Sequence, residues 1–107
     1  MTFETMRALV VDAPDAPFHW ADLPMPQAGP GEVLVRIHAS GVNPLDTKIR
    51  AGAADHARHP LPAVLGMDLA GVVEQVGPGV TDFVRGDEVW AMAGGVARVQ
   101  GSMAQFA

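Results

Sequence analysis

The sequence predicts a mainly β fold: a small, partly open β-barrel carrying one or two short helices. Three observations predict it. Short apolar runs, about five or six of them, recur at intervals of roughly ten residues and carry the period-2 alternation of strands. The 12 Gly and 9 Pro of the 107-residue chain fall largely between those runs, where turns need them. One position, Asn43, carries a clear helix-start signal. The chain is shorter than the ~150 residues of an average domain, so a single unit with one core is expected.

Met6 to Val11 reads as the first strand, closed by Asp12-Ala-Pro-Asp-Ala-Pro, whose prolines cannot continue a ladder. Phe18 to Asp22 reads as an edge strand. Leu23 to Gly31 is an extended, proline-rich connector ending in the turn pair Pro30-Gly31. Glu32 to Ser40 is the clearest strand, with Val33, Val35 and Ile37 on one face and Leu34, Arg36 and His38 on the other. Asn43 then suits an N-cap, Pro44 the first helical position and Asp46 the answering residue of a capping box, which gives a short helix from Pro44 to about Ala51. Ala51 to Pro62 lacks periodicity and reads as a surface loop. Leu69 to Val76 is a strand in which Gly71 marks a bulge or a close backbone approach, and Gly77-Pro-Gly-Val and Arg85-Gly-Asp are turns. Glu88 to Met92 is the next strand, Ala93 to Gly101 a glycine-punctuated loop, and Ser102 begins a last strand that the chain leaves at Ala107. A strand cut off there suggests a domain truncated at its C-terminal end, with residues 1–107 part of something longer.

The formal net charge of −5 argues against nucleic acid or an anionic membrane as partner. With no cysteine, the chain has no disulfide, no thiolate zinc ligand and no thiol nucleophile. The N-terminus lacks the apolar run of a signal peptide, which makes cytoplasm the default expectation. The longest apolar stretch, Leu61 to Val73, is interrupted by Pro62, Gly66, Asp68 and Gly71 and falls short of the ~18 residues of a membrane span.

Three segments together carry a resemblance: Gly41-Val-Asn-Pro-Leu-Asp-Thr-Lys-Ile-Arg-Ala-Gly, Leu65-Gly-Met-Asp-Leu-Ala-Gly-Val-Val-Glu-Gln-Val-Gly and Phe83-Val-Arg-Gly-Asp-Glu-Val. In order and spacing they resemble the N-terminal, GroES-like catalytic domain of the medium-chain dehydrogenase/reductase superfamily. The Asn-Pro-x-Asp form of the first segment is similar to the zinc-independent quinone oxidoreductase branch. That resemblance implies a two-domain enzyme, dimeric in many relatives and here expected to be a homodimer. This chain would form one wall of a cleft, and a Rossmann domain absent from it would hold NADPH. The implied reaction is hydride transfer to a quinone or an α,β-unsaturated carbonyl.

In zinc-dependent relatives the positions of Asn43, Met67 and Asp68 hold Cys, His and usually Glu. An amide and a thioether replace a thiolate and an imidazole poorly for a borderline-soft cation, so no metal is expected. Charge growing on the substrate oxygen must then meet hydrogen-bond donors, for which Asn43 and Lys48 are the candidates. Lys48 stands where several quinone-reductase relatives have Tyr. Asp46 resembles the carboxylate that orients the site in the family, Met67 and Asp68 belong to the cleft wall, and Met92 and Gly94 resemble the segment that closes over the nicotinamide.

Plainer readings stand beside these. Capping alone accounts for Asn43 and Asp46, solvent exposure for Lys48, packing for Met67, and an ordinary glycine turn for Gly94. His56 and His59, beside Asp55, form a weak metal-clamp pattern, while His38 and His19 read as structural. Gly77-Pro-Gly-Val-Thr-Asp lacks the third glycine and the following helix of a dinucleotide fingerprint. Two other functions remain open: a zinc-dependent alcohol dehydrogenase of the same superfamily, and a stand-alone GroES-like binding or scaffold module without activity.

Overall fold

The computed structural model describes residues 4–53, 60–95 and 99–107. Its strands are β1 (Thr5–Val11), β2 (His19–Pro24), β3 (Val33–Ser40), β4 (Ala63–Val64), β5 (Asp68–Val76) and β6 (Glu88–Met92), with one helix, α1 (Pro44–Arg50), among the described residues. They form two antiparallel three-stranded sheets, ordered β2-β1-β4 and β3-β5-β6. The fold is therefore mainly β, as the turn spacing implies, and the two sheets do not close into a continuous barrel. No described helix is long and apolar enough to cross a membrane.

Alternation explains β1. Met6, Ala8 and Val10 are buried on one face, which packs with Val64, Ala21 and Leu23. Val11 turns to the other face and joins Ile49 of α1 and Leu65 in a second cluster. Met103 packs against both clusters, so the chain's last residues bind the two halves of the core.

The pairing of β3 with β5 is irregular in two places. The register slips between Leu34 and Val35 and again between Ile37 and Ala39. The first slip puts both Leu34 and Val35 in the interior, although simple alternation places them on opposite faces with Leu34 on the more polar one. The second lies opposite Gly71, where an added Cβ would stand 2.1 Å from the Arg36 carbonyl oxygen. The expected close approach at Gly71 is thus a property of the bulge. The turn after β5 also forms as its Pro-Gly pair demands: the Val80 N–H donates to the Gly77 carbonyl and Gly79 has φ 82°.

Three elements differ from the expectation. β2 runs from His19 to Pro24, two residues past Asp22, because its pairing with β1 continues to Thr5. β4 escapes a reading dominated by Pro60 and Pro62, since it is only two residues long and exists by pairing with Val10 and Val11. The last strand is not a continuous strand; it makes isolated bridges at Ala104 to Ala8 and at Phe106 to Arg36. The physical reason is that its hydrogen bonds are divided between two sheets.

That division joins the sheets. The Leu9 N–H donates to the Met103 carbonyl at 2.8 Å, and the Gln105 N–H donates to the Arg7 carbonyl at 3.1 Å. On the β3 side, the Ile37 N–H donates to the Gln105 carbonyl at 2.8 Å, and Val35 and Ala107 exchange bonds of 2.7 and 3.1 Å.

Two predictions follow from this packing. Gly71→Ala should lower unfolding free energy by about 2 kcal/mol or more, since its methyl group would meet backbone with no room to yield; urea titration measures this, and a loss under about 0.5 kcal/mol would contradict it. His19 at the start of β2 pairs through Nε2 with Asp12 at 2.9 Å, and the hydrogen bond that its ring donates to the Asp12 carboxylate, aided by the Trp20 carbonyl, raises its pKa above 6.5. A raised folded-state pKa means that its stabilisation is complete below the unfolded value and fades as pH climbs through the folded one. An NMR titration should show His19 titrating above 6.5 and returning toward it in Asp12→Asn.

Candidate active-site wall

The site is built around the start of α1. Asn43 has extended backbone, φ −118° and ψ 146°, and caps the helix, while Pro44 holds the first helical position. The Asn43 Oδ1 accepts the Leu45 N–H at 3.0 Å, and the Asp46 Oδ2 accepts the Asn43 N–H at 2.9 Å. The predicted capping box is therefore present. Its geometry also orients the amide: because Oδ1 faces a backbone donor, the Asn43 NH₂ is the end left over among the described residues, with two hydrogens to donate. Capping and donation use opposite ends of one side chain.

Asp46 is only 3% exposed, and its Oδ1 has no hydrogen-bond partner among the described residues. Lys48 lies on the last turn of α1 and is exposed, where its charge complements the helix dipole. The structure thus joins Asn43 to Asp46 directly and sets Lys48 on the outer surface of the same helix.

A second group lies beside the cap. The Gly41 N–H donates to the Asp68 carbonyl at 3.0 Å, and a Cβ on Gly41 would stand 3.2 Å from the Asp68 Cβ. Asp68 opens β5, is half-buried, and pairs in register with Met92 at the end of β6. Met67 is 7% exposed and packs inside, as its plainer reading holds; its carbonyl accepts the Ala93 N–H at 2.6 Å. Met92 is 72% exposed and Val42, next to Asn43, 73%. These two apolar side chains flank the polar groups on an open surface. Gly94 is buried, and a Cβ there would stand 2.0 Å from the Gln100 carbonyl oxygen, so close packing requires its identity.

Two serines missed by the sequence reading complete the wall. Ser102 is 1% exposed and donates to the Asp68 carbonyl at 2.9 Å. Its oxygen lies 2.6 Å from the Ser40 Oγ, and since the Ser102 proton is already committed, Ser40 donates to Ser102. Ser40 and Ser102 are 62 residues apart in the chain, and neither sits in a motif, so no local pattern could have paired them. His38 is exposed on β3, and His56 and His59 lie outside the described residues.

Cofactor chemistry can be tested against these groups. Asn43 and Met67 present an amide and a buried thioether, a donor set that does not suit zinc, and among the described residues no cluster of three His, Cys, Asp or Glu side chains could hold a metal. A dinucleotide's phosphates do not fit either. The N-terminus of α1 is capped by the Asn43 and Asp46 side chains, so its backbone donors are already engaged. Two apolar cavities among the described residues lie elsewhere. One of about 410 Å³, lined by Val10, Leu23 and Val64, is on the face of the β1 sheet away from α1. Another of about 480 Å³, lined by Phe83 and Trp90, is on the β3-β5-β6 sheet. Neither of these two cavities is lined by Asn43, Asp46, Lys48 or Asp68.

Residues 29–106 match the alcohol dehydrogenase GroES-like domain. The chain belongs to that family. This GroES-like domain is similar to quinone oxidoreductase of Rattus norvegicus, at 41% identity over 88 residues that cover 81% of the chain and 25% of the relative. It is 48% identical over 77 residues to 2-haloacrylate reductase of Burkholderia sp, covering 67% of the chain and 22% of that protein. Among solved structures, an alcohol dehydrogenase superfamily protein from Novosphingobium aromaticivorans superposes with a TM-score of 0.93 at 58% identity, covering 95% of this chain and 31% of that one. The GroES-like domain therefore spans about a quarter of the length of the curated relatives it matches.

The cap geometry is testable by stability. Asn43→Ala should cost about 1 kcal/mol, as loss of an N-cap does, and Asn43→Asp should retain most of that stability because a carboxylate oxygen also accepts the Leu45 N–H. Denaturant midpoints with an unchanged slope provide the comparison.

Proposed function

We propose that this chain is the substrate-side wall of an NADPH-dependent, zinc-independent oxidoreductase that reduces quinones or α,β-unsaturated carbonyls. Residues 1–107 would be the catalytic-domain portion of a longer, homodimeric, cytoplasmic enzyme. The observation that carries the reading is the orientation of Asn43, whose Oδ1 is held by the Leu45 N–H so that its NH₂ is free to donate. Support comes also from the amide and thioether at Asn43 and Met67 and from the similarity to quinone oxidoreductases and a haloacrylate reductase. The phosphates of the dinucleotide are left to residues beyond this wall.

When a quinone or enone accepts two electrons, negative charge grows on its carbonyl oxygen. A fixed donor aimed at that oxygen lowers the barrier because its dipole needs no reorganisation. Asn43 is such a donor, since the capping box locks both its backbone and its Oδ1. Asp46 holds the Asn43 backbone, and Lys48 adds a positive charge on the same helix. Val42 and Met92 offer an apolar surface to a flat substrate, while Asp68 and Gly94 fix the adjoining backbone.

The test uses the polypeptide expressed from the native reading frame that contains this chain. It should oxidise NADPH in the presence of a quinone or enone, at a rate unchanged by a chelator. Asn43→Asp keeps the cap but replaces the NH₂ donor by an acceptor, and should lower kcat/KM about 100-fold or more while Tm holds. A rate abolished by chelation would favour a zinc-dependent alcohol dehydrogenase instead. An intact mass equal to the 11.2 kDa of this chain, without turnover, would favour a stand-alone binding module.

A further inference from the structure

The helix that carries Asn43 is only seven residues long, too short to hold its shape or place without outside contacts. Its N-terminal end is tied to β5 by the bond from the Gly41 N–H to the Asp68 carbonyl. Its C-terminal end is tied to the β1–β2 side of the molecule, and among the described residues Arg50 makes the hydrogen bonds of that tie. The Arg50 carbonyl accepts the Asp15 N–H at 2.9 Å, its Nη2 donates to the Ala16 carbonyl at 2.9 Å, and its guanidinium lies 4.9 Å from the centre of the Phe18 ring. Asp15, Ala16 and Phe18 belong to the loop that joins β1 to β2. Asp15 is held there at φ 58°, an uncommon conformation for a non-glycine residue. Pro14 of the same loop sits against Gly52, just past the helix.

Like Lys48, Arg50 suits the negative end of the helix dipole, but that role calls for no buried guanidinium. Its guanidinium is part-buried, its Nε is buried without a hydrogen-bond partner, and no carboxylate pairs with it among the described residues. A cation so placed exchanges part of its hydration for a carbonyl and an aromatic face, two directed contacts. It is a good source of direction, because the planar guanidinium fixes two surfaces at once. Ile49, next to it, is buried against Val11 and Leu65, and Leu45 one turn earlier packs on the same cluster, so this face of the helix supplies a pivot. With the helix held at a pivot, the contact at its C-terminal end sets the tilt and so the place of its N-cap.

We propose that Arg50 is a positioning residue for the candidate site: by clamping the loop between β1 and β2 to the end of α1, it sets where the Asn43 amide stands relative to Asp68. Its relevance to catalysis rests on the reading of Asn43 as donor; the mechanical coupling does not.

Amide hydrogen exchange tests the coupling in this protein. In Arg50→Lys, which keeps the charge but loses the planar stack and fork, the Asn43 and Leu45 amides should exchange at least tenfold faster, while those of Leu9 and Val73 in the sheets keep their rates. Phe18→Leu should reproduce this pattern, and Phe18→Tyr, which retains the ring face, should not. Unchanged exchange at Asn43 and Leu45 in both Arg50→Lys and Phe18→Leu would overturn the proposal, as would equal acceleration throughout the sheets. In the complete enzyme, kcat for a quinone should fall about tenfold in Arg50→Lys with KM little changed. An enzyme that reduces no quinone would overturn the functional reading and leave the exchange result to decide on Arg50.

Discussion

The fold depends on hydrogen bonds that residues 103–107 share between two sheets. Met103 and Gln105 pair with β1, while Gln105 and Ala107 pair with β3. Neither three-stranded sheet is large enough to bury both of its faces alone, and a segment bonded on both edges holds them at a fixed separation. The same segment supplies Met103 to both parts of the core and Ser102 to the polar chain that ends on the Asp68 carbonyl. The candidate site stands beside this seam because Asp68, Gly41 and Ser40 all meet there.

The polar groups of the wall are organised by backbone rather than by opposed charges. Asn43 and Asp46 satisfy each other's main-chain donors, Ser102 and Gly41 both bond the Asp68 carbonyl, and Ser40 donates to Ser102. Each bond removes a rotational freedom from a group of the wall, whether buried like Asp46 and Ser102 or exposed like Ser40. Such preorganisation suits a surface that must meet a developing negative charge with a fixed dipole. Among the described residues it also leaves one end of the Asn43 amide unused, which is the condition for a structural residue to be a chemical one as well.

The sequence legible in short range was legible because local chemistry governs it. Asn43-Pro-Leu-Asp determines a cap through contacts three residues apart, and Gly77-Pro-Gly determines a turn through allowed dihedral angles. Glu88 to Met92 reads as a strand from its composition and forms one. The reading failed where a residue's state depends on a distant partner. Ala63–Val64 becomes a strand only because Val10 and Val11 lie alongside, and Leu34 reaches the interior only because a bulge shifts its register.

By itself the sequence determined a mainly β, cysteine-free chain with the family's motif order, and it placed an amide and a thioether where zinc relatives carry ligands. Those features follow from residue identity and near-neighbour sterics. Only the tertiary structure decided that Asp68 lies beside Gly41 and opposite Met92, and that Ser40 reaches Ser102 across 62 residues. It alone decided the two-sheet sharing of residues 103–107 and the clamp at Arg50. Long-range hydrogen bonds form where folding brings donors and acceptors together, and neither spacing nor composition along the chain encodes that meeting.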